Sequence, residues 1–317
     1  MRIAALFPGQ GAQQLGMLAG FADHTPVRET FAEASAALGF DLWALAQQGP
    51  DAELQRTVNT QPLMLTAGLA CYRAWREAGG GEPVVAAGHS LGEFTACAAA
   101  GLLSLAEAVR LVRRRAELMQ ACVAEGEGAM AAVIGLDGDT VDGLCREAAA
   151  EGPLVEAVNF NEPLQTVVAG LTQGVAEVSR RCTEAGARAV MPLKVSAPFH
   201  TSLLRPAADG LRQALADLSL APARFPVAAN VDGRLRTEPG DIATALVAQA
   251  CSPVRWLPCQ QAVAGFEPDR VLEFGPGKTL AGFAKRSGLG RGVLGVADPS
   301  GLERALERSA AGAEAAR

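Results

Sequence analysis

The chain has 317 residues, of which 49% are hydrophobic and 20% are charged, a composition typical of a soluble globular protein. Its formal net charge is −6, and no basic cluster extends beyond Arg113-Arg114-Arg115, which argues against a nucleic-acid ligand because phosphate contacts need many cationic side chains. No apolar stretch reaches the roughly 20 residues of a membrane span, so we expect no membrane association.

Short apolar or β-branched runs bounded by Gly, Pro or Asn alternate with Ala/Leu-rich stretches of helical period along most of the chain. This alternation predicts a mainly parallel sheet with helices on both faces. The predicted strands are 2–7, 83–88, 225–231 and 268–274, and the predicted helices include 62–78, 93–100, 105–122, 203–217 and 241–250.

The stretch 128–193 departs from this alternation and has the pattern strand, helix, strand, strand, helix, strand. That order, βαββαβ, predicts a ferredoxin-like unit inserted into a larger domain. We therefore predict a large α/β-hydrolase-like domain at 1–126 and 195–317 and a ferredoxin-like subdomain at 127–194.

The amino-terminal residues show no charged region followed by an apolar region and a cleavage site, so we expect no secretory signal. The seven cysteines are scattered, with no C-x-x-C pair. They predict small buried thiols in a reducing cytoplasm and argue against a disulfide framework or a zinc site.

The sequence Gly-His-Ser-Leu-Gly at 88–92 directly follows an apolar run and directly precedes an Ala-rich run. Strand, Gly-x-Ser-x-Gly and helix is the order of a nucleophile elbow, whose serine hydroxyl is exposed at the positive end of a helix. Ser90 is therefore a candidate nucleophile. The alternative is an ordinary helix-capping serine at a Gly-rich turn.

A serine nucleophile needs a base within hydrogen-bond reach, and the chain has three histidines. His89 adjoins the serine, where neighbouring side chains diverge, so we expect it to pack or cap. His24 lies in a sequence typical of a surface turn. His200 ends a proline-containing run before a predicted helix, which favours it as the base; the alternative is a buried, hydrogen-bonded histidine.

Acyl transfer also needs donors directed at the developing oxyanion. In a nucleophile elbow the backbone N–H of the residue after the serine, here Leu91, is one such donor. The Gly-rich loop 7–13 follows the first strand, and its glycines allow the main chain to approach a ligand, so it offers a second donor. The alternative is a plain strand-to-helix loop.

Six motifs occur in the order of a known family. They are FPGQGAQ (7–13), NTQP (59–62), GHSLGEF (88–94), RAELMQ (115–120), APFH (197–200) and EFGPG (273–277). From about residue 3 to residue 285 the chain resembles bacterial malonyl-CoA:acyl carrier protein transacylases. Their family also includes the acyltransferase domains of polyketide synthases and the malonyltransferase subunit of malonate decarboxylase.

This resemblance implies that Ser90 carries a malonyl ester between two half-reactions, and that His200 is its base and later the acid for the leaving thiolate. It implies that a main-chain carbonyl, which falls here at Gln249, orients the histidine in place of an acidic residue. Gln10 and the N–H of Leu91 match the oxyanion hole. The implied substrates are malonyl-CoA and phosphopantetheinylated acyl carrier protein, and no metal or other cofactor is implied.

A malonyl group ends in a carboxylate, which a planar guanidinium can bind through two parallel charge-assisted hydrogen bonds. In the run 113–115, the three arginines point in different directions, since successive helical residues differ by roughly 100°. Arg115 falls within the apolar face, and the family match selects the same residue. The resemblance further implies that Gln61 lines the site and that Phe199 favours malonyl over methylmalonyl groups.

We predict a monomeric, cytoplasmic acyltransferase that moves malonyl groups from malonyl-CoA to acyl carrier protein and supplies extender units for fatty-acid synthesis. Within the family, the alternatives are a polyketide or malonate decarboxylase system. The alternative from another class is a serine hydrolase, against which a cation at the acyl end argues. A non-enzymatic scaffold would not need Ser90, His200, Gln10 and Arg115 together.

Overall fold

The structure, a computed structural model, describes residues 1–195, 197–289 and 292–314. Its strands are β1 (Ile3–Phe7), β2 (Val85–Gly88), β3 (Gly128–Ile134), β4 (Val155–Glu162), β5 (Gln165–Leu171), β6 (Ala189–Pro192), β7 (Val227–Ala228), β8 (Leu235–Arg236), β9 (Arg270–Phe274) and β10 (Val293–Val296). Its α-helices are α1 (Thr25–Leu38), α2 (Leu42–Gln48), α3 (Asp51–Gln55), α4 (Thr57–Glu77), α5 (Leu91–Ala99), α6 (Leu105–Ala121), α7 (Gly138–Glu151), α8 (Thr172–Glu184), α9 (Arg205–Ala216), α10 (Pro239–Gln249), α11 (Trp256–Ala264), α12 (Thr279–Ser287) and α13 (Pro299–Glu314).

The larger sheet has six strands in the order β10-β9-β1-β2-β7-β8, and every neighbouring pair is parallel except the last. Its central strand β1 is buried along its whole length. Ala5 and Phe7 contribute to one apolar core, whereas Ala4 and Leu6 contribute to another, as the alternation of a strand requires. Both faces of the sheet are therefore covered, which explains the unbroken apolar run in the sequence.

The smaller sheet has four antiparallel strands in the order β4-β5-β3-β6, with α7 and α8 in the connections. This is the strand order of a ferredoxin-like unit, and all four strands lie between Gly128 and Pro192. The predicted fold class, a mainly parallel α/β region with a second ferredoxin-like sheet, is confirmed. The numerical domain boundaries stay a prediction.

Each face of the smaller sheet has its own core. Val168 on β5 packs in a cluster with residues of α7 and α8, such as Val178. The adjacent Val167 points to the opposite face, into a cluster with Met119 of α6 and Phe199. The second cluster joins the smaller sheet to the rest of the molecule, beside the segment that ends in His200.

The structure also contains elements that the sequence patterns did not predict. Helix α1 begins directly after His24, whose ring packs edge-on against Phe21 with 5.2 Å between centroids. The strand predicted at 225–231 is only two residues long, because the chain leaves the sheet at Ala229 and turns through residues 230–232. No helix in the described ranges is both long and apolar enough to cross a membrane.

Candidate active site

The turn between β2 and α5 holds Ser90 in a strained conformation, with φ 52° and ψ −112°. Such a backbone costs about 1–3 kcal/mol and needs support from its surroundings. A Cβ at Gly88 would lie 1.8 Å from the carbonyl oxygen of Gly92, and a Cβ at Gly92 would lie 2.0 Å from that of Phe7. Both glycines are therefore required by the close packing of strand, turn and helix.

The Asn230 side chain, two residues after β7, holds this turn through two hydrogen bonds. Its Oδ1 accepts a hydrogen bond from the backbone N–H of Ser90 at 2.7 Å, and its Nδ2 donates to the carbonyl oxygen of Gly88 at 2.8 Å. Asn230 is fully buried. Since the hydrogen bonds hold both sides of the turn, Asn230 offsets part of the strain at Ser90.

His200 contacts the Ser90 hydroxyl directly, with 2.7 Å between Nε2 and Oγ. Its Nδ1 lies 2.8 Å from the main-chain oxygen of Gln249. A carbonyl can only accept, so Nδ1 carries the proton and Nε2 is free to accept the proton of the serine. Burial, followed by the nearby charge of Arg115, lowers the pKa of His200 to about 3, so the imidazole is neutral at pH ~7.

Arg115 is 1% exposed, and its guanidinium points toward the serine. Nη1 donates to Oε1 of Gln61 at 2.8 Å, and Nη2 donates to Oε1 of Gln249 at 2.9 Å. Nη2 also lies 3.5 Å from Ser90 Oγ. Burial lowers the pKa of Arg115 to about 10, which leaves it cationic at pH ~7. Nε has no hydrogen-bond partner among the described residues, so this buried cation retains donor capacity.

The loop 7–13 lies against the elbow, since a Cβ at Gly9 would be 2.6 Å from the carbonyl oxygen of His89. Within this loop, Gln10 accepts a hydrogen bond through Oε1 from Nε2 of Gln61 at 3.2 Å. Leu91 is the first residue of α5, where backbone N–H groups have no partner within the helix. The candidate oxyanion donors thus lie on two backbone segments, the loop 7–13 and the turn into α5, that pack against each other.

Two further residues considered in the sequence, His89 and Phe199, pack against neighbouring side chains. His89 packs on Trp256 with 5.4 Å between ring centroids, and its Nε2 lies 2.8 Å from Oδ1 of Asn161 on β4. Burial lowers the pKa of His89. Phe199 is 8% exposed and belongs to the core between α6 and the smaller sheet.

The other two arginines of the triplet lie on the outer side of α6. Arg113 and Arg114 each have a side-chain nitrogen 3.5 Å from a carboxylate oxygen of Glu117. In the described part of the chain all seven cysteines are unpaired thiols, and no group of three or more His, Cys, Asp or Glu side chains is arranged to hold a metal ion.

The sequence interpretation missed two polar residues of this site, Asn230 and Glu93. Glu93 is 2% exposed on α5, and its Oε2 accepts hydrogen bonds from the backbone N–H of Asn230 and from Nε2 of Gln249. A carboxylate in an otherwise apolar helix is a signal that could have identified Glu93. Asn230 had no such local signal, since Asn is common where strands end.

A serine and a histidine paired at a strand-to-helix turn of an α/β fold define the class of serine-dependent acyl-transfer enzymes, which includes hydrolases and acyltransferases. This chain belongs to the acyl transferase domain family, whose profile matches residues 5–288. It is therefore an acyltransferase, and the family membership does not support the hydrolase alternative.

Proteins similar to this chain over almost its whole length have the names of the family that the motifs indicated. The chain is 47% identical over 307 residues to the malonyl CoA-acyl carrier protein transacylase of Escherichia coli K12, covering 96% of this chain and 99% of that one. A crystal structure of an acyl-carrier-protein S-malonyltransferase from Burkholderia pseudomallei superposes with a TM-score of 0.94 at 50% identity, covering 97% and 100% of the two chains. A malonyl-transacylase solved with the acyl-carrier protein of a type II PKS has a TM-score of 0.94 at 44% identity, covering 97% and 99%.

Proposed function

We propose that the chain transfers the malonyl group of malonyl-CoA to the phosphopantetheine thiol of acyl carrier protein through an ester on Ser90, supplying extender units for fatty-acid synthesis. The names of the relatives support both substrates. We further propose that the enzyme acts as a monomer without a metal or redox cofactor, since each step below uses only groups of the chain and its two substrates.

The buried Arg115 is the observation that carries this proposal. Its Nη2 is 3.5 Å from the Ser90 oxygen, so a short acyl group on that oxygen would extend along the guanidinium. Burying a cation is costly unless a partner compensates it, and its two amide acceptors here are neutral. The buried Glu93 compensates only part of this cost, since the pKa of Arg115 is lowered overall. A malonyl carboxylate would supply the missing negative charge, whereas an acetyl group would not.

In the first half-reaction, Ser90 Oγ attacks the thioester carbonyl while its proton passes to Nε2 of His200. The oxyanion would accept hydrogen bonds from the N–H of Leu91 and from the main chain at Gln10. The C–S bond then breaks, the imidazolium returns its proton to the leaving thiolate of CoA, and the malonyl ester remains on the serine.

The second half-reaction runs the same steps with a new thiol. The phosphopantetheine thiol gives its proton to Nε2 of His200, its sulfur attacks the ester carbonyl, and the C–O bond to Ser90 breaks as the serine oxygen regains a proton. The carbonyl oxygen of Gln249 holds Nδ1–H throughout, which stabilises the imidazolium and keeps Nε2 directed at the reacting atoms.

A polyketide carrier protein is the second candidate acceptor, because one relative was solved with the acyl-carrier protein of a type II PKS. The two candidates use the same Ser90 chemistry. Malonyl transfer rates to a fatty-acid carrier protein and to a polyketide carrier protein would separate them, and we expect the fatty-acid carrier to be preferred.

The direct test is incubation with radiolabelled malonyl-CoA followed by peptide mapping. We expect one label per chain on the peptide that contains Ser90, and transfer of that label to added acyl carrier protein. In Ser90→Ala, acyl transfer should fall by up to about 10⁶-fold, the order that removal of a serine nucleophile costs in other enzymes.

Ser179→Ala is the matched control, since Ser179 donates to a main-chain oxygen of α8 within the smaller sheet's helical layer. It should label like the unchanged protein. Full labelling of Ser90→Ala would contradict the mechanism. Labelling that turns over to free malonate faster than to carrier protein would contradict the transferase assignment.

A further inference from the structure

A buried carboxyl group, that of Glu93, lies inside the site. Glu93 follows Ser90 by one turn, with its backbone N–H donating to the carbonyl oxygen of Ser90 at 3.0 Å. Its side chain is buried among helices, where an unpaired carboxyl group would be strongly destabilising. Its hydrogen-bond partners should therefore reveal what it does.

Both side-chain hydrogen bonds of Glu93 end on the same oxygen. Oε2 accepts from Nε2 of Gln249 at 2.8 Å and from the backbone N–H of Asn230 at 3.2 Å. Burial raises the pKa of Glu93 to about 7. A neutral carboxyl group can still accept both hydrogen bonds through its carbonyl oxygen, so the arrangement does not depend on the charge.

The first partner, Gln249, contacts all three principal groups of the site. Its Nε2 also donates to the main-chain oxygen of Ser90 at 2.7 Å, its Oε1 accepts from Arg115, and its own main-chain oxygen accepts from His200. Because Glu93 and the Ser90 carbonyl oxygen both accept from the amide nitrogen, the amide oxygen faces Arg115. The reversed amide would direct two N–H groups at a cation, which is unfavourable.

The second partner, Asn230, is the residue that braces the elbow. Glu93 holds its backbone N–H, and its side chain in turn holds the N–H of Ser90 and the carbonyl oxygen of Gly88. One carboxyl oxygen therefore fixes the two residues that orient the nucleophile, the base and the cation. These contacts join positions 137 and 156 residues away from Glu93.

We propose that Glu93 is a positioning residue of the acyl-transfer site, which acts through Gln249 on Arg115 and His200 and through Asn230 on Ser90. This inference rests on the proposed function. It assigns Glu93 a hydrogen-bonding role in acyl selectivity. Without Glu93, the amide nitrogen of Gln249 loses one of its two acceptors, and the orientation of Arg115 through Gln249 is weakened. Acylation by malonyl-CoA should therefore slow more than acylation by acetyl-CoA.

The test compares Glu93→Gln with Glu93→Leu in single-turnover acylation of Ser90 by malonyl-CoA and by acetyl-CoA. Gln can place its carbonyl oxygen where Oε2 lies and keep both hydrogen bonds, so it should retain most of the rate. Leu has nearly the same volume but no acceptor. It should lose about 10²-fold in malonyl acylation, as small misplacements of reacting groups do, and less in acetyl acylation.

Glu273 offers a matched control, because it is a second fully buried glutamate whose oxygens accept from the backbone N–H groups of Leu280 and Ala281 at the start of α12. Glu273→Leu should lower the melting temperature and leave the malonyl-to-acetyl ratio unchanged. If Glu93→Leu does not fold, Glu93→Asp replaces it: the shorter side chain cannot reach both partners, so its malonyl-to-acetyl ratio should fall as well.

The outcomes separate the two proposals. An unchanged protein that takes up no malonyl group overturns the proposed function itself. An unchanged protein that is acylated, together with a Glu93→Leu variant of the same rate and ratio, overturns the positioning role. Equal losses in Glu93→Gln and Glu93→Leu also overturn it, because they would show that the charge and not the hydrogen bonding of Glu93 matters.

Discussion

The two sheets of this protein contribute to the site in different ways. The parallel sheet and its helices contribute polar atoms: Ser90 follows β2, Asn230 follows β7, and Gln249 ends α10. The antiparallel sheet contributes mainly an apolar face, which packs in one cluster with Phe199. A polar link between the regions is the contact of His89 with Asn161 on β4.

The polar groups around Ser90 and the segment that carries His200 are therefore held in position by different combinations of contacts. On the parallel side, each polar group is fixed by hydrogen bonds to other polar groups. Removing one acceptor therefore changes the positions of several hydrogen-bonded side chains at once. On the antiparallel side, the His200 segment is held by close packing around Phe199 and by hydrogen bonds from Ser202 to Glu156 on β4, so its position depends on volume and shape as well as on polar contacts. Substitutions on the two sides should therefore have different consequences for acylation and for stability.

Among substitutions that leave Ser90 in place, the largest effect is expected on the polar side, from Arg115→Ala. The variant loses the proposed pair of charge-assisted hydrogen bonds to the malonyl carboxylate, a loss of about 3 kcal/mol or on the order of 10²-fold. Acetyl transfer should change far less. Single-turnover acylation by the two CoA thioesters measures the ratio.

Arg114→Ala is the control, because Arg114 lies on the outer side of the same helix and is 56% exposed in its side chain. It should leave the malonyl-to-acetyl ratio unchanged. Equal losses of malonyl and acetyl transfer in Arg115→Ala would contradict the assignment of its guanidinium to the acyl carboxylate.

A smaller effect should distinguish the two faces of the antiparallel sheet. Val167→Ala and Val168→Ala remove the same atoms from adjacent residues of β5 that point into opposite cores. Each should lower the free energy of unfolding by about 1–3 kcal/mol, the cost of lost burial plus a cavity. Only Val167→Ala should also slow acylation, because its cavity adjoins the cluster that contains Phe199.

Denaturant unfolding and single-turnover acylation of the folded variants give both quantities. Equal slowing by the two substitutions would mean that the whole smaller region, and not only the face toward His200, controls the position of His200. No slowing by either would mean that the polar contacts of the segment, from His200 to Gln249 and from Ser202 to Glu156, are sufficient to hold it.

The smallest expected effect is a pH-dependent change in stability at Glu93. Its folded pKa of about 7 exceeds the ordinary value of 4.5, so its contribution to stability is full below pH 4.5 and is lost as the pH rises through 7. Glu93→Gln cannot ionise. Relative to the unchanged protein, its melting temperature should therefore be higher at pH ~8.5 than at pH ~4.5.

Thermal unfolding at the two pH values measures this difference, with Glu273→Gln as a comparison at the other buried glutamate. A relative melting temperature that falls with rising pH would mean that the ionised carboxylate of Glu93 is stabilised in the fold, against the burial argument.

The local features of the site were predictable from the sequence because they depend on neighbouring residues. The glycines at 88 and 92 and the apolar run before them indicate the elbow, since a side chain at either position would collide with backbone. The period of α6 put Arg115 on its apolar face, and the order βαββαβ indicated the second sheet. The carbonyl at Gln249 and the glutamine at 61 came from the family resemblance alone.

Only the tertiary structure could decide how these pieces support each other. The hydrogen bond from the N–H of Ser90 to Asn230 spans 140 residues, and that from Gln249 to the carbonyl oxygen of Ser90 spans 159. Local periodicity carries no information about such contacts, because they depend on which strands become neighbours in the sheet and where each helix ends. The sequence by itself determined that Ser90 is displayed at a tight turn; the packing of distant segments determined that a histidine, a cation and a buried carboxylate converge on it.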